Sequence, residues 1–468
     1  MKRIIIIFAV ISSLVSCNFL EVEQIGKSDI QSFYSDASSV EAAVNGAYNL
    51  TYKYFNSYGL FYPEVTGDLV RLSPTSSSWM DQYNFVSDET QETTPVGFMW
   101  KNAFEVILNV NEILEYGPSV AKNHPAYAAK VNDGLANAYF LRALMTFQLS
   151  LVYSQHYTYS PDASHLGVPV LVSFPSLSES ISRANVKDTY NQIVSDLETA
   201  LKMFSSESVT SVYFASKAAC KALLSRVYLY MEQYDKVVEN ALSVISDYGL
   251  SLTPRDKYKA MFCSVNEVGS EVVLRLNGYD QSVDMWKLCD YNAPLATPSA
   301  KLSSFFTDKN DIRTSLLSHD GRDNVFMKYT VTDAQSDKER HYDPILLRLS
   351  EQYLNLAEAL CRNGNLEDAA KYVSELRSRS TGRQESVKYS GREDLLKIIL
   401  DERVKELYME GFRLYDITRN KQSLERGETN SAVTSISYPD DRFILPIPLV
   451  ELEANPSMKS NPNNNTKQ

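Results

Sequence analysis

Glu402, Glu406 and Glu410 recur every fourth residue, which places three carboxylates on one face of a helix. Paired carboxylates can cleave glycosidic bonds when an apolar pocket keeps one of them protonated. The same groups act as structural anions when arginines stand beside them. Here Arg403, Arg413 and Arg419 interleave with the row, and Glu410–Arg413 and Asp416–Arg419 have the i,i+3 spacing of ion pairs. A neighbouring guanidinium lowers a carboxylate pKa, the reverse of what a catalytic acid needs. The row therefore reads as structural, and no enzyme activity is expected.

Other reactive constellations are missing. The five histidines (His124, His156, His165, His319, His341) form no HExxH pair, and the chain has no GxSxG, Walker A or GxGxxG motif. Asp308-Lys309-Asn310-Asp311 begins like a calcium loop but lacks the later Gly and Glu, so it reads as a solvated turn. No metal or cofactor is expected. Cys220, Cys263, Cys289 and Cys361 are widely spaced, without a CxxC pair, and read as small buried side chains; the sequence leaves a Cys263–Cys289 disulfide open. A formal net charge of -12 argues against nucleic acid and against charge-driven membrane binding. The 30 tyrosines suit either sugar- and peptide-contacting surfaces or helix packing.

The start of the chain reads as an address. Lys2 and Arg3 precede an apolar run from Ile4 to Val15, too short to span a bilayer, and Leu14-Val15-Ser16-Cys17 has the pattern of a bacterial lipobox. Residues 1–16 are expected to be a signal peptide and Cys17 to carry the lipid. No later stretch reads as long and apolar enough to cross a membrane.

The elements that must position any site are helical. Apolar spacing predicts helices over 36–58, 100–114, 134–153, 188–204 and from 395 to 409. Residues 215–246 and 347–378 align at a constant offset of 132, with Tyr234-Asp235 matching Leu366-Glu367. Each unit is a helix, a tight polar turn and a second helix, with small residues at the expected crossing, the logic of tetratricopeptide pairs. The expected architecture is mostly α: a helix-pair scaffold over about 100–250 and 346–425, carrying irregular insertions at about 59–99 and 250–345. Rigid scaffolds leave specificity to loops, so the ligand is expected on the insertions.

Several segments together resemble one family. They are Leu135-Ala-Asn-Ala-Tyr-Phe-Leu-Arg-Ala-Leu144, Gly167-Val-Pro-Val170, Ser182-Arg-Ala-Asn-Val-Lys-Asp-Thr-Tyr190, Ala222-Leu-Leu-Ser-Arg-Val-Tyr228, Tyr353-Leu-Asn-Leu-Ala-Glu-Ala359, Glu410-Gly-Phe-Arg-Leu-Tyr-Asp416 and Ile444-Leu-Pro-Ile-Pro448. In this order, behind a lipobox, they resemble the SusD-like (RagB/SusD) outer-membrane lipoproteins of Bacteroidetes, nearly end to end from residue 17 to 468. The resemblance implies a non-catalytic, lipid-anchored protein on the cell exterior. It would capture a glycan for a SusC-like TonB-dependent transporter, or, as the RagB branch implies, a peptide or protein fragment.

Within the insertions, aromatic rings mixed with polar side chains are the expected contacts. Trp79, Asp81, Tyr83 and Asn84 stand in the first, and Tyr279, Asp284, Trp286 and Tyr291 in the second. An indole or phenol can stack on a sugar ring while amides and carboxylates bond its hydroxyls, or the rings can pin their loops to the scaffold. Asp68 and Arg71 can orient a sugar or pair with each other, with pairing favoured, and Trp100 is expected to pack in the core.

Overall fold

The computed structural model describes residues 30–175, 180–264, 266–278, 284–332 and 343–462. Ten helices carry the scaffold. Helices α1 (Ala37–Tyr54), α2 (Pro95–Asn123), α3 (Ala128–Tyr153) and α4 (Val186–Met203) come first. Helices α5 (Lys217–Tyr230) and α6 (Tyr234–Ser246) form one pair, and α7 (Leu349–Arg362) and α8 (Leu366–Thr381) another. Helices α9 (Arg392–Leu407) and α10 (Arg413–Arg419) close the row. From α1 to α8 each helix packs on its neighbour in chain order. Short strands that serve the insertions include β1 (Val70–Leu72), β2 (Val272–Arg275), β3 (Ala296–Pro298) and β4 (Ile345–Arg348).

The internal repeat takes the same shape twice. Lys217 and Leu349 open the first helices of the pairs, and Tyr234 and Leu366 the second, both at the offset of 132. Ala218, Ala219, Ala222 and Ser225 on α5 and Ala357 and Ala359 on α7 are wholly buried, so small side chains let the backbones approach. Although about a hundred residues separate the pairs in sequence, α6 packs directly on α7. The second insertion is thus looped out between stacked repeats, with β2 pairing antiparallel to β4 at its two ends.

Several helices differ from their expected bounds. Side-chain caps at Asp36, Asn185 and Ser216 start α1, α4 and α5. Helix α2 begins at Pro95, with proline at a first-turn position where its missing N–H costs nothing, and runs to Asn123. Helix α3 starts at Ala128, earlier than its apolar spacing suggested, and is apolar enough to pass for a membrane span. The apolar window of the 125–153 helical stretch is 89% buried, which makes α3 the central core helix. Gly134 lies on it where a Cβ would stand 2.9 Å from Val40 Cγ1, so only glycine lets α1 and α3 come this close. The four described cysteines are buried, and Cys263 and Cys289 are not joined.

Buried ion pairs tie the repeats together. Arg226 on α5 holds Glu351 on α7, and Arg419 on α10 bridges Glu358 and Asp416. Removing one member of such a pair strands the other charge out of water, so each pair fixes the register of its helices.

Candidate functional site

The first insertion leaves the scaffold after α1 through the short helix Tyr62–Val65. Glu64 on that helix is fully buried, and its carboxylate accepts from the backbone amides of Met409, Gly411, Phe412 and Arg413 at 2.8–3.3 Å. Met409 and Gly411 have positive φ, which turns successive amides toward one point. Burial pushes the Glu64 carboxyl above its ordinary range, and the four amides pull it back.

Asp68 does not meet Arg71. It is chelated by Arg413 and also receives Lys301. This corrects two expected pairings, since Arg413 serves Asp68 while Glu410 turns to Arg348 and Lys328. Asp416–Arg419 does form, at 2.8 Å.

Arg426 completes the mounting. Among the described residues its guanidinium hydrogen-bonds only carbonyl oxygens: Gly67 at 2.8 Å, Tyr83 at 2.6 Å, Thr66 at 3.1 Å, Val65 at 3.3 Å and Val433 at 3.5 Å. It also lies over the rings of Tyr83 (4.3 Å) and Phe85 (5.2 Å). Burial lowers its pKa to about 10, still well above neutrality.

The second insertion is clamped to the same turn. Lys328 is fully buried and donates to the carbonyls of Glu406 and Tyr408 and to Glu410. Burial brings its pKa down to about 8, opposed by Glu410. Arg348 bridges Glu271, Glu406 and Glu410, Arg379 adds Glu271 and Glu406, and Arg313 holds Asp311, Glu402 and Glu406. Burial opposes ionisation of Glu402, but Arg313, Lys405 and Arg377 outweigh it and draw its pKa down to about 2. Glu406 is likewise held well below its ordinary range against burial, by Arg379, Arg348 and Arg313. These carboxylates are charged, caged and shut away from water, so they are not placed to donate a proton to a substrate.

The two insertions meet at a strand seam. β1 pairs antiparallel with β3, setting Val70 opposite Pro298, Arg71 opposite Thr297 and Leu72 opposite Ala296. Ser73 N donates to Leu295 O at 2.7 Å and extends the ladder. A third segment, 426–433, edges the seam, with Asn430 Nδ2 donating to Leu72 O at 2.9 Å. Arg71 projects from β1 into solvent, where its Nη2 lies 3.3 Å from Asn430 Oδ1 and 3.6 Å from Glu428. In the turn that feeds β3, half-buried Tyr291 stands edge-on to His319 at 4.4 Å, and Arg322 donates to Tyr291 O and Asn292 Oδ1. The seam thus carries exposed hydrogen-bonding groups with a ring pair beside them, on a rigid base.

The expected contact residues divide. Trp79 is 6% exposed and packs edge-on against Tyr58, and Tyr83 is 0% exposed with its hydroxyl 2.5 Å from Thr429 Oγ1. Both corrections have one cause: the insertion folds its largest rings inward and joins them to the main core, so neither ring is a platform. Asn84 Oδ1 accepts from Ser431 Oγ and Ala432 N and fastens two loops. Asp81 accepts from Gln91 at 2.6 Å and remains half-exposed. Trp100 is buried, with its indole N–H on Glu451 at 3.3 Å. Tyr279 and Cys17 lie outside the described residues, as do the side chains of Asp284 and Trp286, whose backbone belongs to the helix Asp284–Cys289. His319, Arg322, Arg426 and Asn430 were not expected at the site. For Arg426 the sequence holds no signal, because its partners are backbone oxygens.

Beside the seam, between 82–87 and 441–445, lies a cavity of about 400 Å³ that reaches Phe85, Ser87, Asp441 and Leu445.

Comparison with known proteins agrees with this architecture. Residues 18–229 match a family model described as starch-binding associating with outer membrane, and residues 324–463 match the model of the SusD family. SusD-like protein P2 of Formosa agariphila is 25% identical over 519 aligned positions, covering 98% of this chain and 99% of the relative. A crystal structure from Bacteroides vulgatus, described provisionally as a sugar binding protein, is 26% identical with a TM-score of 0.82, covering 92% of this chain and 98% of that one. A SusD superfamily protein from the same organism is 25% identical with a TM-score of 0.81, covering 92% and 99%.

Proposed function

The chain belongs to the SusD-like family, and on that footing we propose that it is a non-catalytic surface lipoprotein of the outer membrane that binds a glycan. The glycan, an oligo- or polysaccharide, is captured where the two insertions meet and passed to a SusC-like TonB-dependent transporter. The observation that carries this reading is the β1–β3 seam. It joins two insertions more than two hundred residues apart into one outward face with Arg71, Thr297, Tyr291 and Asn430 on or beside it. Exposed amides and guanidinium groups bond sugar hydroxyls, and a half-exposed phenol ring offers an apolar face. The sugar-binding description of a relative alike over nearly its whole length supports the ligand class. The caged state of Glu402 and Glu406 supports capture rather than cleavage. Anchoring through Cys17 would leave the body in water at the membrane surface.

Calorimetric titration of the chain from Asn18 onward, against soluble polysaccharides and against mixed peptides, tests the proposal. Binding of a glycan class, weakened by Arg71→Ala or Tyr291→Ala without loss of folding, is the expected result. Heat with peptides alone would transfer the same face to peptide capture, and silence with both would overturn the reading.

A further inference from the structure

The cavity between 82–87 and 441–445 is not part of the seam face. Its volume of about 400 Å³ falls within the ~300–1,000 Å³ of small-molecule sites. One wall is the ring of Phe85, whose backbone is held at φ 55° in the left-handed region. That conformation is unfavourable for a bulky side chain, and Phe85 N and Val86 N close the turn on Gln82 O and Asp81 O. Glycine or asparagine would fit the turn better; the phenylalanine instead places an aromatic ring against Arg426 and along the cavity.

The polar lining is of mixed character. Ser87 Oγ accepts from Gln82 Nε2 at 3.3 Å, which leaves its own O–H to donate. Asp441 gives one carboxylate oxygen to Gln155 at 3.4 Å, while its other oxygen has no hydrogen bond among the described residues. Arg442 also lines the cavity, with its Nε and Nη2 on Asp440 at 2.9 and 2.7 Å, so its charge is balanced there while Asp441 adds a second carboxylate to the rim. The cavity therefore offers a free donor, a free anionic acceptor, an aromatic wall and the apolar side chain of Leu445. Among the described lining residues the one cation, Arg442, is already balanced by Asp440. A ligand matching this set has hydroxyls that both donate and accept and an apolar ring face, and it carries no negative charge.

We propose that this cavity is a subsite for one neutral sugar residue and that it excludes carboxylated and sulfated sugars. The inference rests on the glycan reading above and adds to it a location and a charge rule. The ring packs against Phe85, and neighbouring hydroxyls bond Ser87 and Asp441.

The test is an array of neutral, carboxylated and sulfated oligosaccharides, probed with the chain from Asn18 onward and with Ser87→Val, Asp441→Asn and Arg71→Ala variants whose melting is followed in parallel. Retention of neutral glycans alone, with affinity lowered at least tenfold by Ser87→Val and by Asp441→Asn at unchanged melting, is expected. Binding of acidic glycans, or neutral binding that neither variant alters, overturns the subsite. In the latter case, loss of binding in Arg71→Ala would leave the glycan reading standing. An array silent in every class would overturn both. If Ser87→Val alone lowers melting, Asp441→Asn at the cavity mouth decides.

Discussion

Glu64 Oε1 accepts the amide of Gly411 at 2.9 Å, across 347 residues of sequence. This contact fastens the first insertion to the scaffold. Replacing Glu64 with Gln puts an N–H₂ group where one oxygen now accepts, leaving buried amides without a partner. A loss of about 1–3 kcal/mol is expected, read as a lower urea midpoint at unchanged slope.

Acid should dissolve the ion cage before it touches the apolar core. Glu402 has its folded pKa drawn from 4.5 to about 2, and Glu406 lies well below 4.5. For a depressed carboxyl the stabilisation is complete above the unfolded value and is lost as pH falls through the folded one. Stability followed by circular dichroism is therefore expected to fall from about pH 4.5 toward pH 2. In Glu402→Gln the protein should be weaker at neutral pH, with a shallower fall across that window.

Trp79→Ala and Tyr291→Ala should part company. Trp79 is a core side chain, and its truncation is expected to cost about 3–5 kcal/mol. Lost glycan binding in that variant would come with lost folding. Tyr291 is half-buried at the site, so its truncation should lower affinity by roughly tenfold while costing about 1 kcal/mol of stability. Calorimetry and thermal melting on both variants separate the cases.

Arg426→Lys keeps the charge and loses the fork. A single ammonium cannot serve the carbonyls of Val65, Thr66, Gly67 and Tyr83 together. Hydrogen exchange should quicken across residues 65–86, with α7 and α8 unchanged. Equal protection in the variant would mean that Arg426 is dispensable to the insertion.

What was legible in the sequence was what repeats locally. The offset between 215–246 and 347–378 places four helices, because each helix writes its own period of apolar residues. That the Glu402 row is ion-paired was legible, but not its partners: Arg403, Arg413 and Arg419 pair with Asp416, Asp68 and Glu358, while the row is met by Arg313 from the second insertion and Arg348 from the strand that closes it, which carry no local signal. The site was harder. Trp79 in a segment without period gives no sign of which way it faces, and the Tyr58 contact that buries it joins separate elements. The pairing of Arg71 with Thr297 is a long-range event that neither three-residue strand announces alone.

Two of the fastenings of the first insertion grip main chain. Arg426 holds carbonyls of 65–67 and 83, and Glu64 holds amides of 409–413. Every amino acid brings a carbonyl, and every one but proline brings an amide, so these two contacts do not depend on which side chains are displayed above them. The displayed residues can therefore be replaced one by one without undoing these two joins.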